Sequence, residues 1–207
     1  MSNEVKTKEK VDMDPKYIIK LTVTLFLTCM VVAGILGWVN SITKDKIAAI
    51  DAENTRVAMS AVAPEGSEFG DKMELSEAAI TAASDNGGKL VELYPVTLDG
   101  AAAGYVMKIS ASGSQGAIVM MVGVDADKAI TGISVVSHSE TSGIGTKVVG
   151  NELNAAGEPV LDQFKHKSGA GTLIVGSNIT AISGATVSTR GITAGANAAL
   201  AVVDALG

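Results

Sequence analysis

The hydrophobic pattern splits the chain into an apolar run near the N-terminus and a longer body of shifting period. Residues 21–39 (LTVTLFLTCMVVAGILGWV) carry no charge, and a helix of that length rises about 29 Å, close to the hydrocarbon thickness of a bilayer. One transmembrane helix is predicted, with Tyr17 and Trp38 at its edges, where interfacial aromatics belong. A cleaved signal peptide has a shorter apolar core and a small-residue cleavage site; the exit through Trp38, Val39 and Asn40 offers neither. Cys29 follows Phe26, Leu27 and Thr28 in mid-span and reads as a packing residue rather than a lipid attachment point. Residues 41–62 contain few breakers, with Ile42, Ile47, Ile50, Val57 and Val62 spaced among polar positions, and stop before Pro64. They predict a juxtamembrane helix, whose continuity with the span stays open.

The period then changes. Residues 65–71 form a turn-rich link and residues 74–83 a second short helix. Residues 89–98 and 103–110 alternate β-branched or aromatic positions with polar or small ones around a turn at Asp99 and Gly100. Residues 117–124 (AIVMMVGV) predict a buried strand, joined by a hairpin turn at 125–128 to a partner at 130–137. A helical turn is expected at 159–164, opened by Pro159, and a short strand at 172–175. Ile192, Ala196, Ala199, Val203 and Leu206 recur at steps of four and three, one face of a C-terminal helix. The fold class is therefore α+β, an antiparallel sheet with flanking helices behind one transmembrane helix. The expected divisions are a cytoplasmic tail at 1–16, the transmembrane helix at 17–39, a juxtamembrane helical region at 40–84 and a folded domain at 85–207.

Charge sets the topology and removes several function classes. Lys6, Lys8, Lys10, Lys16 and Lys20 precede the span, whereas Lys44 and Lys46 are the near ones after it. The N-terminus should face the cytoplasm and the body the other side of a cytoplasmic membrane. A net charge of −6 with no basic patch disfavours nucleic-acid binding. One cysteine and two histidines, His138 and His166, leave no disulfide, iron–sulfur or histidine-zinc site, so no metal is expected. Phe69, Tyr94, Tyr105 and Phe164 are the body's aromatics, too few for a stacking platform.

Two segments hold most of the candidate chemistry. Residues 183–189 (SGATVST) form a small-residue turn ahead of the C-terminal helix; free amides and the positive end of a helix dipole favour a phosphate there. The same residues also fit a helix start capped by Ser188 or Thr189, and both readings stand on the residues alone. No Walker lysine follows the glycine and no G-x-G-x-x-G is present. Residues 138–145 (HSETSGIG) gather polar groups and two glycines at the end of a strand, which fits a ligand loop or a plain surface loop. A third segment, residues 112–116 (SGSQG), reads as a tight bend before the buried strand.

Taken in order, the N-terminal helix, the G-x-x-G turn, the H-x-E-T-x-G-x-G loop and the S-G-A-T-x-S turn resemble the G subunit of the Rnf electron-transport complex. The C subunit of the sodium-pumping NADH:quinone oxidoreductase is the related alternative, and a membrane-anchored regulatory or assembly module with the same domain is another. The resemblance implies an FMN-binding domain at 85–207 and an electron-transfer subunit of a ferredoxin:NAD+ oxidoreductase ion pump. It further implies FMN joined through its phosphate to the hydroxyl oxygen of Thr186 by a flavin transferase that uses FAD. Ser183, Gly184, Ala185 and Ser188 would shape the phosphate end, while His138, Glu140, Thr141, Ile144 and Gly145 would line the ring or ribityl chain. No acid–base catalytic residue is implied, because the flavin itself carries the redox chemistry. Partners would be the other membrane subunits, the transferase and the lipid around the span. Two positions depart from the family pattern: Thr180 stands where an aspartate is usual, and Ser142 and Ile144 replace Pro and Leu in the loop.

Overall fold

The computed structural model describes residues 14–207. Lys6, Lys8 and Lys10, with most of the predicted tail, lie outside the described residues. Helix α1 (Pro15–Val62) runs unbroken through the predicted span and the predicted juxtamembrane helix. No proline interrupts it between its first residue and Pro64, and proline is the residue that would break the ladder. By length and composition it is long and apolar enough to cross a membrane. The chain divides into two units, Met1–Ile50 and Asp51–Gly207, so the last turns of α1 belong to the body.

In the body, five strands follow one another in space as in sequence, each antiparallel to the next: β1 (Glu68–Phe69), β2 (Gly88–Leu98), β3 (Ala101–Ser112), β4 (Ala117–Asp125) and β5 (Ile130–His138). Helix α2 (Glu77–Asp85) lies between β1 and β2 in sequence and starts at Ser76, whose hydroxyl accepts from the Ala79 amide at 3.2 Å. After β5 come the short helix α3 (Thr146–Val149), a 3-10 turn (Asp162–Phe164) and α4 (Thr186–Leu206). The four longer predicted strands and the C-terminal helix are thus present. Two elements differ from expectation. The link at 65–71 contains β1, which pairs Glu68 with Thr97 and Phe69 with Val96. Residues 172–175 form no strand, because side chains take their backbone groups: Asn197 bonds both the amide and the carbonyl of Leu173 at 3.2 and 2.9 Å, and Asn178 accepts from the Ile174 amide at 2.8 Å.

Both faces of the sheet are covered, which explains why β4 lacks polar alternation. Met107, Ile109 and Ala111 of β3 and Ile118, Met120, Val122 and Val124 of β4 join the core under α2 and α4. Val106 and Met121 point to the opposite face, against Ala58, Met59 and Val62 of α1. A register shift between Leu90 and Glu92 places Leu90 and Leu93, three apart, on the same face. Val62 sits directly on the sheet. A Cβ at Gly123 would collide with the Val62 carbonyl oxygen, one at Gly132 would come within 3.3 Å of Val62 Cα, and Thr131 Oγ1 donates to that same carbonyl.

Candidate functional site

The strand order brings the three candidate segments to one end of the sheet. The β3–β4 turn (residues 112–116) lies there because Ser112 pairs with Ala117, and β5 ends there because His138 pairs with Ile118. The first turns of α4 reach the same end: a Cβ at Gly191 would clash with the Ser112 carbonyl oxygen, so only glycine permits that approach.

Glu140 ties these segments together. The residue is 7% exposed. Oε1 accepts from the amides of Ser114 at 2.7 Å and Gln115 at 3.4 Å, and Oε2 accepts from Ser188 Oγ. The carboxylate acts purely as an acceptor toward three donors from two other segments. Gly113 and Gly145 crowd it, each with a Cα so close that a methyl group would press on a carboxylate oxygen. The backbone amide of Glu140 in turn donates to His138 Nδ1 at 3.2 Å. His138, Thr141 and Ile144 are exposed, Ile144 by 51%, and Gly145 is buried.

The S-G-A-T-x-S turn opens α4 at Thr186 with Ala185 as its N-cap and no side-chain cap. Neither Ser188 nor Thr189 caps the helix, because both lie inside its first turn. The first α4 amide with an acceptor across this start is that of Thr189, which donates to the Ala185 carbonyl at 3.0 Å; the preceding turn of amides is the part of a helix left unsatisfied. Gly184 has φ +83° and nothing within 4 Å of where a Cβ would stand, so the mouth of the turn is open.

The hydroxyls here have different surroundings. Ser188 is 1% exposed and committed to Glu140. Thr189 is fully buried and donates to Ala185 O at 3.0 Å. Thr186 is half-buried, and among the described residues its hydroxyl has no hydrogen-bond partner. Ser183 is exposed, as is Val187, by 52%. The approach to the turn is held by Gln163, whose amide accepts from Thr180 N at 2.7 Å and donates to Thr180 O at 3.0 Å. Arg190, one turn beyond Thr186 on the same helix face, is exposed. It lines an open groove of about 400 Å³ with Asn86, Leu173, Thr193 and Asn197.

Sequence reasoning did not single out Gly191, Gln163 or Arg190, and it took Ser114 and Gln115 as part of a bend rather than as partners of Glu140. The nearest available signal was the glycine density of 112–116, which reads as a tight bend. Among the described residues no group of His, Cys, Asp and Glu is placed to hold a metal ion.

Residues 113–201, which take in the H-x-E-T-x-G-x-G loop, the S-G-A-T-x-S turn and the β3–β4 turn from Gly113 on, match the family described as FMN-binding domain. The G subunit of the Na(+)-translocating ferredoxin:NAD(+) oxidoreductase complex of Acetobacterium woodii is 32% identical over 98% of this chain and 99% of its own length. The chain belongs to the G-subunit family of ion-translocating oxidoreductases. Another G subunit, from the ion-translocating oxidoreductase complex of Methanosarcina acetivorans, is 31% identical over 93% of both chains. The G subunit of the proton-translocating ferredoxin:NAD(+) oxidoreductase complex of Clostridium ljungdahlii is 27% identical over 91% of this chain. As a member of this family, the chain combines an apolar N-terminal helix, a five-stranded α+β body and an FMN-binding domain.

Proposed function

We propose that this chain is the membrane-anchored electron-transfer subunit of a ferredoxin:NAD+ oxidoreductase complex that moves a cation, and that it holds FMN covalently through Thr186. The observation that carries the attachment is the contrast among the hydroxyls of the first α4 turn. Ser188 and Thr189 are buried and bonded, whereas the Thr186 hydroxyl is accessible and unpartnered among the described residues. The residues fit the group. An uncapped helix start offers amides and dipole to a phosphate diester, Gly184 leaves room at the turn, and Arg190 adds a positive charge one turn on.

Attachment uses FAD and a flavin transferase. The Thr186 oxygen bonds to the flavin-side phosphorus as the bond from that phosphorus to the bridging oxygen breaks; AMP leaves and the threonine proton passes to water. Bound FMN supplies reversible one- and two-electron chemistry, while this chain supplies position. Ser183, Gly184 and Ala185 shape the phosphate end. Thr141, Ile144 and His138 face outward beside the turn, and together with Val187 they present an aliphatic and polar bed rather than an aromatic sandwich. The body lies on the extracytoplasmic side, on the strength of the lysine distribution around the span. Other membrane subunits of the complex are its redox partners.

The test is mass spectrometry of the full chain coexpressed with a flavin transferase. One FMN phosphoryl unit is expected on the peptide containing Thr186, and Thr186→Ala should lose it. Covalent flavin persisting in that variant refutes the assignment.

A further inference from the structure

We infer that Glu140 is a positioning residue for Thr186, acting through Ser188, and not a flavin contact. The inference rests on the reading of Thr186 as the attachment residue. Its basis is that the side chain is buried and both of its oxygens are engaged inside the protein. One is occupied by the amides of Ser114 and Gln115 and the other by Ser188 Oγ, and the residue is 7% exposed. Three of the roughly four acceptor sites of the carboxylate are taken up inside the protein, and so buried a residue offers a flavin almost no surface.

The connection has a direction. The β3–β4 turn is built on the sheet, where Ile118 is fully buried and Gly113 donates to the Gly116 carbonyl at 2.7 Å. Helix α4, by contrast, starts without a side-chain cap, and the segment feeding it has no regular structure. The carboxylate therefore anchors the less constrained partner to the more constrained one, fixing the α4 turn that also carries Thr186. A buried hydrogen bond to a charged group is among the stronger ones a protein makes. The device also explains the two glycines against it: a side chain at Gly113 or Gly145 would expel the carboxylate from its seat.

The consequence is a defect of presentation. An accepting hydroxyl held loosely spends less time in line with the phosphorus, which lowers the transfer rate without changing how FAD is bound by the transferase. In the detergent-solubilised full chain, with purified transferase and FAD, Glu140→Ala should slow flavin transfer to Thr186 by about tenfold or more. The FAD concentration for half-maximal rate should stay unchanged. Ser188→Ala should slow transfer in the same sense, and the double variant should be no slower than Glu140→Ala, because both changes cut one linkage. Glu140→Gln keeps an acceptor for the Ser114 amide and an N–H for Ser188 Oγ, and should restore the rate to within about threefold of wild type. Thermal unfolding of each flavin-free variant identifies any that fails to fold; if Glu140→Ala does, Ser188→Ala and Glu140→Gln decide the matter.

Wild-type transfer rates in both Glu140→Ala and Ser188→Ala overturn the proposal. So do rate losses that add in the double variant, or normal attachment with a shifted flavin potential in Glu140→Ala, which would put Glu140 against the ring. Failure of the underlying reading looks different: wild-type chain that gains no covalent flavin, or Thr186→Ala that gains it.

Discussion

Within one turn of α4, three side chains of nearly the same chemistry, Thr186, Ser188 and Thr189, have different surroundings, and the proposed attachment gives them separate tasks. Thr189 points into the core and returns its hydroxyl to Ala185 O. Thr189→Val keeps the shape and removes that bond, leaving a buried carbonyl short of one partner. The flavin-free chain should lose about 1 kcal/mol of stability, seen as a lower thermal midpoint, while the flavin stays on the Thr186 peptide. Loss of flavin from that peptide would show that the threonines share the chemistry. Sequence alone located the turn but not this division of labour, since burial within one helical turn depends on which way the helix is rotated against the sheet. The same limit applied to Glu140. The resemblance placed it beside the cofactor, whereas its partners, Ser114 and Ser188, are remote in sequence and meet it only through the strand order.

At the scale of elements, the contact of α1 with the sheet depends on close backbone approach. Gly123 and Gly132 are paired across β4 and β5 beneath Val62. Gly123→Ala forces a methyl group against the Val62 carbonyl, and overpacking of this kind costs about 1–3 kcal/mol. The expected readout is a lower midpoint of thermal unfolding, with flavin still attached, because the proposed attachment turn lies with Ile118 and His138 at the far end of the same strand pair. An unchanged midpoint would show that α1 lifts away at no cost. Strands β2 to β5 were legible because their apolar content, turns and lengths agreed. Strand β1 was not: two residues carry no period, and only the partner Val96 reveals Phe69 as part of the sheet. Residues 172–175 erred in the other direction, β-branched enough to suggest a strand but claimed by the amides of Asn197 and Asn178.

For the whole molecule, the proposed topology predicts that protease added to spheroplasts digests the body and spares a short N-terminal fragment; a body protected in sealed, right-side-out membranes refutes it. The charge rule behind this uses Lys16 and Lys20 as well as the lysines beyond the described residues. Chain order also governs how such a protein matures. Helix α4 follows all five strands in the chain and supplies Ile192, Ala196 and Ala199, each fully buried, to the core. During synthesis Thr186, the proposed flavin acceptor, therefore emerges after the sheet against which its helix packs. On the proposed attachment and topology, loading would come late in biogenesis, after export and after the sheet has closed under α4. A chain stalled before that point would offer the proposed transferase an unpositioned hydroxyl, and cofactor acquisition would then double as a checkpoint on folding.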